Sequence, residues 1–244
     1  MATQQQAAPK VRRESRAGRI LDAETQQQVA ELNLRGIALV RAALAAGPEL
    51  APAAGSGGAG PPAAVPLPAA LSALRREWLA LDEAAQGRLA GSPYLLFEFG
   101  LSGASTGTGT ATAVSLARVV HDGKVPSAVG SVSAAPFAGA EGRVFVRLLR
   151  HYAWHLVRSS PAVTVFVLGV PWAALEALRT MSLSCVEALG EVAPGGLRLR
   201  WDDQPALWKD WLAAARGDDA AALWAVQLRG LQRIAGLCRE AAEL

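Results

Sequence analysis

His151 and His155 stand four residues apart in a stretch of helical periodicity, the spacing that lets two imidazoles on one helix face reach a single metal ion. No carboxylate or third histidine lies at a matching interval, and Tyr152 and Trp154 crowd the pair. Structural or partly exposed histidines are therefore expected, and no metal site. Cys185 follows the leucine and N-cap pair Leu183-Ser184, where a helix dipole can lower a thiol pKa. No histidine is near in sequence to act as its base, so it reads as a packed small residue. Glycine-rich runs at 55–60 and 100–109 lack the Gly-Lys-Ser/Thr ending and the strand-loop-helix order of a phosphate loop, and read as linkers. The chain carries no catalytic signature, so it is expected to be no enzyme and to hold no cofactor.

Binding chemistry has three candidate carriers. Lys10, Arg12, Arg13, Arg16 and Arg19 against Glu14 give the first twenty residues a charge of +4. Five such bases can contact duplex DNA phosphates, and a solvated tail is the plainer alternative. The remainder of the chain is then near neutral, at −1 of the total +3, which argues against a broad non-specific nucleic-acid surface. Any DNA binding by the isolated chain is accordingly expected to run through the arm. Trp201, Trp208, Trp211 and Trp224 could stack on bases, but Leu207, Trp208, Trp211 and Leu212 fall at the steps of a buried helical stripe, and so suit a core or a subunit interface. Arg198 and Arg200 alternate with Leu197, Leu199 and Trp201, which should aim both guanidinium groups together at solvent or at an acidic partner. Arg198, Arg200, Trp208 and Trp211 are thus the candidate partner contacts.

These residues sit in 244, of which 51% are hydrophobic and only 18% charged. That is enough to bury a core, and it excludes disorder as the main state. The opening Met-Ala-Thr-Gln-Gln-Gln is unlike a secretory signal, two cysteines make no disulfide framework, and the apolar stretch 159–175 is broken by Pro161, Gly169 and Pro171. A cytoplasmic protein with no membrane span is expected. Periodicity predicts a basic mobile arm at 1–21, a helix at 23–46, a Pro/Gly linker at 47–67, a helix from Pro68 to Leu81 and a short one from Asp82 to Ala90. An aromatic extended segment follows at 94–99, then a flexible connection at 100–140. Further helices are expected over 143–158, 161–168, 171–180, 184–191, 205–215 and 220–243, with a strand-like alternation at 197–201. Val144, Leu148, Tyr152 and Leu156 mark the expected buried stripe of the 143–158 helix. Leu156, Phe166, Leu168, Leu178, Leu183 and Leu189 are expected to be buried together.

The halves 22–99 and 141–244 look related. Leu39-Val40-Arg41 matches Leu156-Val157-Arg158 at a separation of 117, while Leu81-Asp82 matches Leu183-Ser184, and Leu95, Phe97 and Phe99 match Leu197, Leu199 and Trp201, at 102. The first copy thus has fifteen more residues between these landmarks, and the Pro/Gly linker lies there.

Ala153-Trp154-His155-Leu156-Val157, Phe166-Val167-Leu168-Gly169-Val170, Leu178, Ser182-Leu183, Leu189-Gly190-Glu191 and Leu199-Arg200-Trp201-Asp202-Asp203 together resemble the FlhD family of flagellar transcriptional activators over about fifty residues without a gap. In the first copy, Leu32-Asn33-Leu34 and Phe97-Glu98-Phe99 resemble the same pattern more thinly. The resemblance implies an all-α or nearly all-α protein in which two FlhD-like helical halves form an intramolecular pseudo-dimer with flexible linkers. It further implies a transcriptional regulator or co-activator that meets DNA in complex with an FlhC-like protein, with further self-association open; a helical adaptor without DNA binding is the alternative. The chain departs from the family in length, in holding two copies, in placing Leu197 and Leu95 where a subunit-linking cysteine falls, and in a C-terminal 202–244 stretch poor in bases.

Overall fold

The computed structural model describes residues 21–46, 67–99, 137, 139–170, 172–192 and 197–240. The arm at 1–20, the linker at 47–66, most of the connection at 100–140 and both glycine-rich runs lie outside the described residues. The described chain is mostly helical: α1 (Ala23–Ala46), α2 (Ala69–Ala73), α3 (Arg75–Leu79), α4 (Glu83–Ala90), α5 (Ala140–Ser159), α6 (Pro161–Leu168), α7 (Trp172–Thr180), α8 (Leu183–Val192), α9 (Pro205–Arg216) and α10 (Ala220–Glu240). Two short strands, β1 (Phe97–Phe99) and β2 (Leu197–Leu199), complete it.

Local chemistry fixes most of these boundaries. The orphan N–H groups of four helix starts are taken by side-chain oxygens: Thr25 N donates to Asp22 Oδ1 at 2.7 Å, Ala85 N to Asp82 Oδ1 at 2.7 Å, Cys185 N to Ser182 Oγ at 3.3 Å, and Ala221 N to Asp219 Oδ1 at 2.8 Å. Proline opens α6 and α9, where its missing N–H costs nothing. Ser182, not Ser184, is therefore the cap of α8. The helix expected from Pro68 to Leu81 is split in two at Leu74, whose φ of −108° and ψ of 22° leave the helical region.

β1 and β2 pair antiparallel with Phe97 opposite Leu199, Glu98 opposite Arg198 and Phe99 opposite Leu197. The register is its own image about the Glu98–Arg198 pair when residues 100 apart are exchanged. The same separation of 100 relates the first residues of α4 and α8, Glu83 and Leu183. Both segments run helix then strand as expected, but in a frame of 100 where the sequence suggested 102. α1 and α5 begin at Ala23 and Ala140, 117 apart as expected from the arginines, and Val29, Leu32, Gly36 and Val40 of α1 are buried where Val146, Leu149, Ala153 and Val157 of α5 are buried. The arginines correspond too. Arg41 donates to the carbonyls of Trp78 and Leu79 at 3.2 and 3.4 Å, and Arg158 to that of Arg179 at 3.2 Å.

The two stretches share one core. α1 lies against α3, α4 and α5; α5 lies against α6, α7 and α8; and α9 crosses over to α2, α3 and α4. Phe97 and Phe145 meet edge to face at 5.7 Å with Phe137 beside both. An ideal Cβ at Gly36 would stand 2.2 Å from the Phe97 ring, so a side chain there would push β1 off α1.

The expected stripe on α5 is one ridge out. Phe145, Val146, Leu149, Ala153, Leu156 and Val157 are buried, whereas Val144 and Leu148 are 45% and 40% exposed. Apolar residues occupy two adjacent ridges of this helix, and the one holding Phe145 wins because that ring completes the phenylalanine cluster. The expected joint core is corrected likewise: Leu156 and Leu168 are buried and Leu178 partly so, but Phe166 and Leu183 are exposed, and the Leu189 side chain lies outside the described residues. Leu183 leads off α8 at the protein surface, so its truncation removes little packing.

Asn33 carries the densest polar contacts of the core. Its Nδ2 donates to Ala90 O at 3.1 Å and Tyr94 O at 2.9 Å, and its Oδ1 accepts from Leu96 N at 2.8 Å, so one buried amide holds the turn between α4 and β1 onto α1. Asn33→Ala is expected to orphan all three backbone groups and to cost on the order of 3 kcal/mol in urea melts. A loss within 0.5 kcal/mol, by the usual rule of about that size for exposed positions, would contradict this anchoring role.

Candidate functional site

Two places in the fold gather charged and aromatic side chains: the joint around the β1–β2 ladder, and the outward face of α5. At the joint, Arg198 stands out from β2 and pairs with Glu98 of β1 at 2.5 Å. Leu197 and Leu199 on either side of it are buried. Alternation would send Arg200 outward beside Arg198. It does not, because the strand ends at Leu199 and Trp201 takes a φ of 55°, turning the chain toward α9 and rotating Arg200 into the protein, where it is 1% exposed.

The buried guanidinium is placed at the C-terminal end of α6. Arg200 Nη2 donates to Leu168 O at 2.7 Å, where the last carbonyls and the negative end of the helix dipole favour a cation. Gly169, which ends α6 with a φ of 60°, makes room: an ideal Cβ there would lie 1.9 Å from Arg200 Nη1. The guanidinium carbon is 5.6 Å from the Trp201 ring centre and 6.0 Å from that of Tyr94. Arg200 is a buried strut, not a partner contact.

Trp208 and Trp211 are likewise fully buried, so the surface they were expected to offer a partner is turned inward. Trp208 meets Trp78 of α3 at 5.2 Å and donates its Nε1 hydrogen to Arg200 O at 2.8 Å. Trp211 meets Trp208 at 5.2 Å, Trp201 at 5.6 Å and Tyr94 at 5.8 Å, all as tilted ring pairs. Through Trp78 and Tyr94 these indoles reach the first half of the same chain. Among the four partner candidates, Arg198 alone keeps substantial exposure, and it is engaged with Glu98.

The remaining sequence candidates fall into place around these. Lys10, Arg12, Arg13, Arg16 and Arg19 lie outside the described residues. His151 Nε2 is 3.7 Å from Glu187 Oε1, His155 is exposed, and no cluster of three metal-binding side chains occurs among the described residues. Cys185 is a partly buried free thiol. Trp224 is exposed on α10 together with Leu228. No described helix is long and apolar enough to cross a membrane.

The second place went unread in the sequence. α5 carries Arg143, Arg147, Arg150 and Arg158 against Glu141 alone, whereas α1 balances Arg35 and Arg41 with Glu24 and Glu31. Arg143, Arg147, His151 and His155 recur every fourth residue along one ridge of α5, and Arg143, Arg147 and His155 are exposed. Exposed Val144 and Leu148 form the neighbouring ridge. The signal was present as four arginines at helical spacing, but it was masked by the near-zero charge of the chain body.

Burial shifts the titration of both tyrosines in the chain. Tyr94, whose hydroxyl donates to Gln227 O at 3.0 Å, is raised well above the usual phenol range by desolvation, with Arg200 opposing. Tyr152 is pushed up to about 12 by burial and then by Asp22. A raised phenol pKa means that the fold favours the neutral form, so this stabilisation is complete below the unfolded value near 10 and is lost as pH climbs from there toward about 12. Arg150, pushed down to about 10 by burial, opposes the trend with one group against two. Native protein at pH 10.5 is therefore expected to show little tyrosinate absorbance, and urea-unfolded protein at the same pH to show more than half of its tyrosine ionised. Equal absorbance in the two states would place both phenols in water.

Compared with protein-family models, with curated proteins and with solved structures, the chain matches none.

Proposed function

We propose that this chain is a cytoplasmic, FlhD-like transcriptional regulator or co-activator, an intramolecular pseudo-dimer that reaches specific DNA sites through an FlhC-like protein partner. The observation that carries the reading is the correspondence between the halves: a ladder that is its own image about Glu98–Arg198, equal separations of 100 at α4/α8 and β1/β2, and the shared buried positions of α1 and α5. A self-complementary contact of this kind is what an isologous interface folded into one chain would present. The motif resemblance from Ala153 to Asp203 supports the family assignment.

A second reading, a helical adaptor without DNA binding, is favoured by one feature. The C-terminal helices offer few cations, with Arg229 tied to Asp210 at 3.0 Å, while Trp224 and Leu228 are exposed on α10 as a protein-binding face would be. Electrophoretic mobility shift on promoter DNA separates the two. The regulator reading expects a discrete, sequence-specific complex only when an FlhC-like partner is added, and at most a salt-sensitive smear from the chain alone. If no specific complex forms while the partner still associates in size-exclusion chromatography, the adaptor reading stands in its place.

A further inference from the structure

The paired helices α1 and α5 provide an internal control. They share four buried positions, Val29/Val146, Leu32/Leu149, Gly36/Ala153 and Val40/Val157, so that part of their packing corresponds while the residues of their outward ridges differ. Where α5 has Arg143, Arg147, His151 and His155, the positions of α1 117 residues earlier hold Gln26, Ala30, Leu34 and Ala38. One helix thus does the structural work with a neutral ridge, and the other does it with a cationic one. From the exposed geometry and chemistry of that ridge we propose that the outward face of α5 is a docking surface for the phosphate backbone of duplex DNA, with Arg143 and Arg147 as its principal contacts. The proposal rests on the regulator reading above and names the surface that such a protein would lay on DNA.

Three observations favour phosphates as the occupant. Every cationic side chain of α5 besides its histidines is arginine, whose planar fork matches phosphate oxygens in pairs. The row winds gently around the helix with a rise of about 6 Å between successive members, so Arg143 and Arg147, the adjacent exposed pair at its start, present their charge together to an extended polyanion. It also lies near the place where the basic arm joins the fold: Asp22, at the start of α1, is close enough to act electrostatically on Tyr152 of α5, and Lys10 to Arg19 precede it by a few residues. Among the described residues, the acidic groups near the ridge are Glu141 on α5 itself, Glu187 beside His151, and Asp22. Such contacts hold DNA without reading its sequence, in keeping with a partner that supplies specificity.

The test is the salt dependence of binding, measured by fluorescence anisotropy of a labelled mixed-sequence 20-base-pair duplex with the full-length chain. Each phosphate contact releases about 0.9 counterion, so Arg143→Gln with Arg147→Gln should make the log-log slope shallower by about 1.8, and Arg147→Gln alone by about half as much. Glutamine keeps a good helix former and a polar side chain while removing the charge, and unchanged urea melts confirm that the fold is intact. Arg35→Gln with Arg76→Gln, which removes the same charge from exposed positions elsewhere, should leave the slope unaltered. The proposal is overturned if the α5 double variant keeps the wild-type slope, if the control pair lowers it equally, or if wild-type chain binds no duplex at low salt. It is also overturned, in favour of an acidic protein partner, if poly-glutamate of matched charge binds the wild-type ridge as tightly as the duplex does. Should the slope stay fixed while the partner-dependent specific complex still forms, the ridge assignment fails and the regulator reading survives.

Discussion

The arrangement depends on three residues of β1 lying against three of β2. A ladder this short is marginal by itself, and it persists because its apolar face is buried and its exit is secured. Phe97 is held against Phe137 and Phe145, and Leu197 and Leu199 are buried. Beyond the ladder, Arg200 N donates to Leu96 O at 2.8 Å, and Leu95 N donates to Val167 O at 3.0 Å, so each half's connecting segment is bonded to the other half. The turn at Trp201 then delivers α9 to the first half, where Trp208 and Trp211 close over Trp78 and Tyr94. The positive φ at Trp201 is a strained choice for a bulky residue, and it is held by two flanking aromatic rings and the cation beside it.

Much of this was legible in the sequence, and each misreading has its own physical cause. α1, α4, α6, α9 and the strand-like 197–199 segment were readable because caps, prolines and a single apolar ridge point the same way. α5 was readable as a helix but not as to its buried face, since apolar residues fill two neighbouring ridges and only tertiary contact with Phe97 decides between them. Arg200 was misplaced because strand alternation was carried to Trp201, two residues past the end of the strand. The separation of 102 between the halves failed by two because Leu95 was aligned with Leu197 on apolar character alone. Pairing, which sets a register absolutely, was needed to correct it.

On the proposed reading, the asymmetry between the halves is where function entered. Positions that pack, such as Val29 with Val146 and Val40 with Val157, hold the same or similar apolar residues, whereas the exposed ridge of the second half became cationic. In a symmetric dimer of separate subunits both faces would have to change together. Joining the two copies covalently frees one face to specialise while the other keeps a neutral surface. The buried arginine illustrates the same freedom in the interior: Gly169 and the α6 carbonyls accommodate Arg200, while the residue 100 positions earlier, Gly100, has no side chain to place.

The pseudo-twofold relation between the halves is the claim on which the rest of this account stands, and it can be tested by distance. Spin labels at Glu24 and Leu183, and in a second sample at Glu141 and Glu83, mark pairs that such an axis would exchange, and all four positions are exposed. With Cys185 and Cys238 replaced by serine so that only the introduced cysteines react, pulsed electron-electron resonance reads the two separations directly. The account predicts distance distributions with the same mean and overlapping widths. Two well-defined means that differ by more than the reach of the label linkers would contradict it.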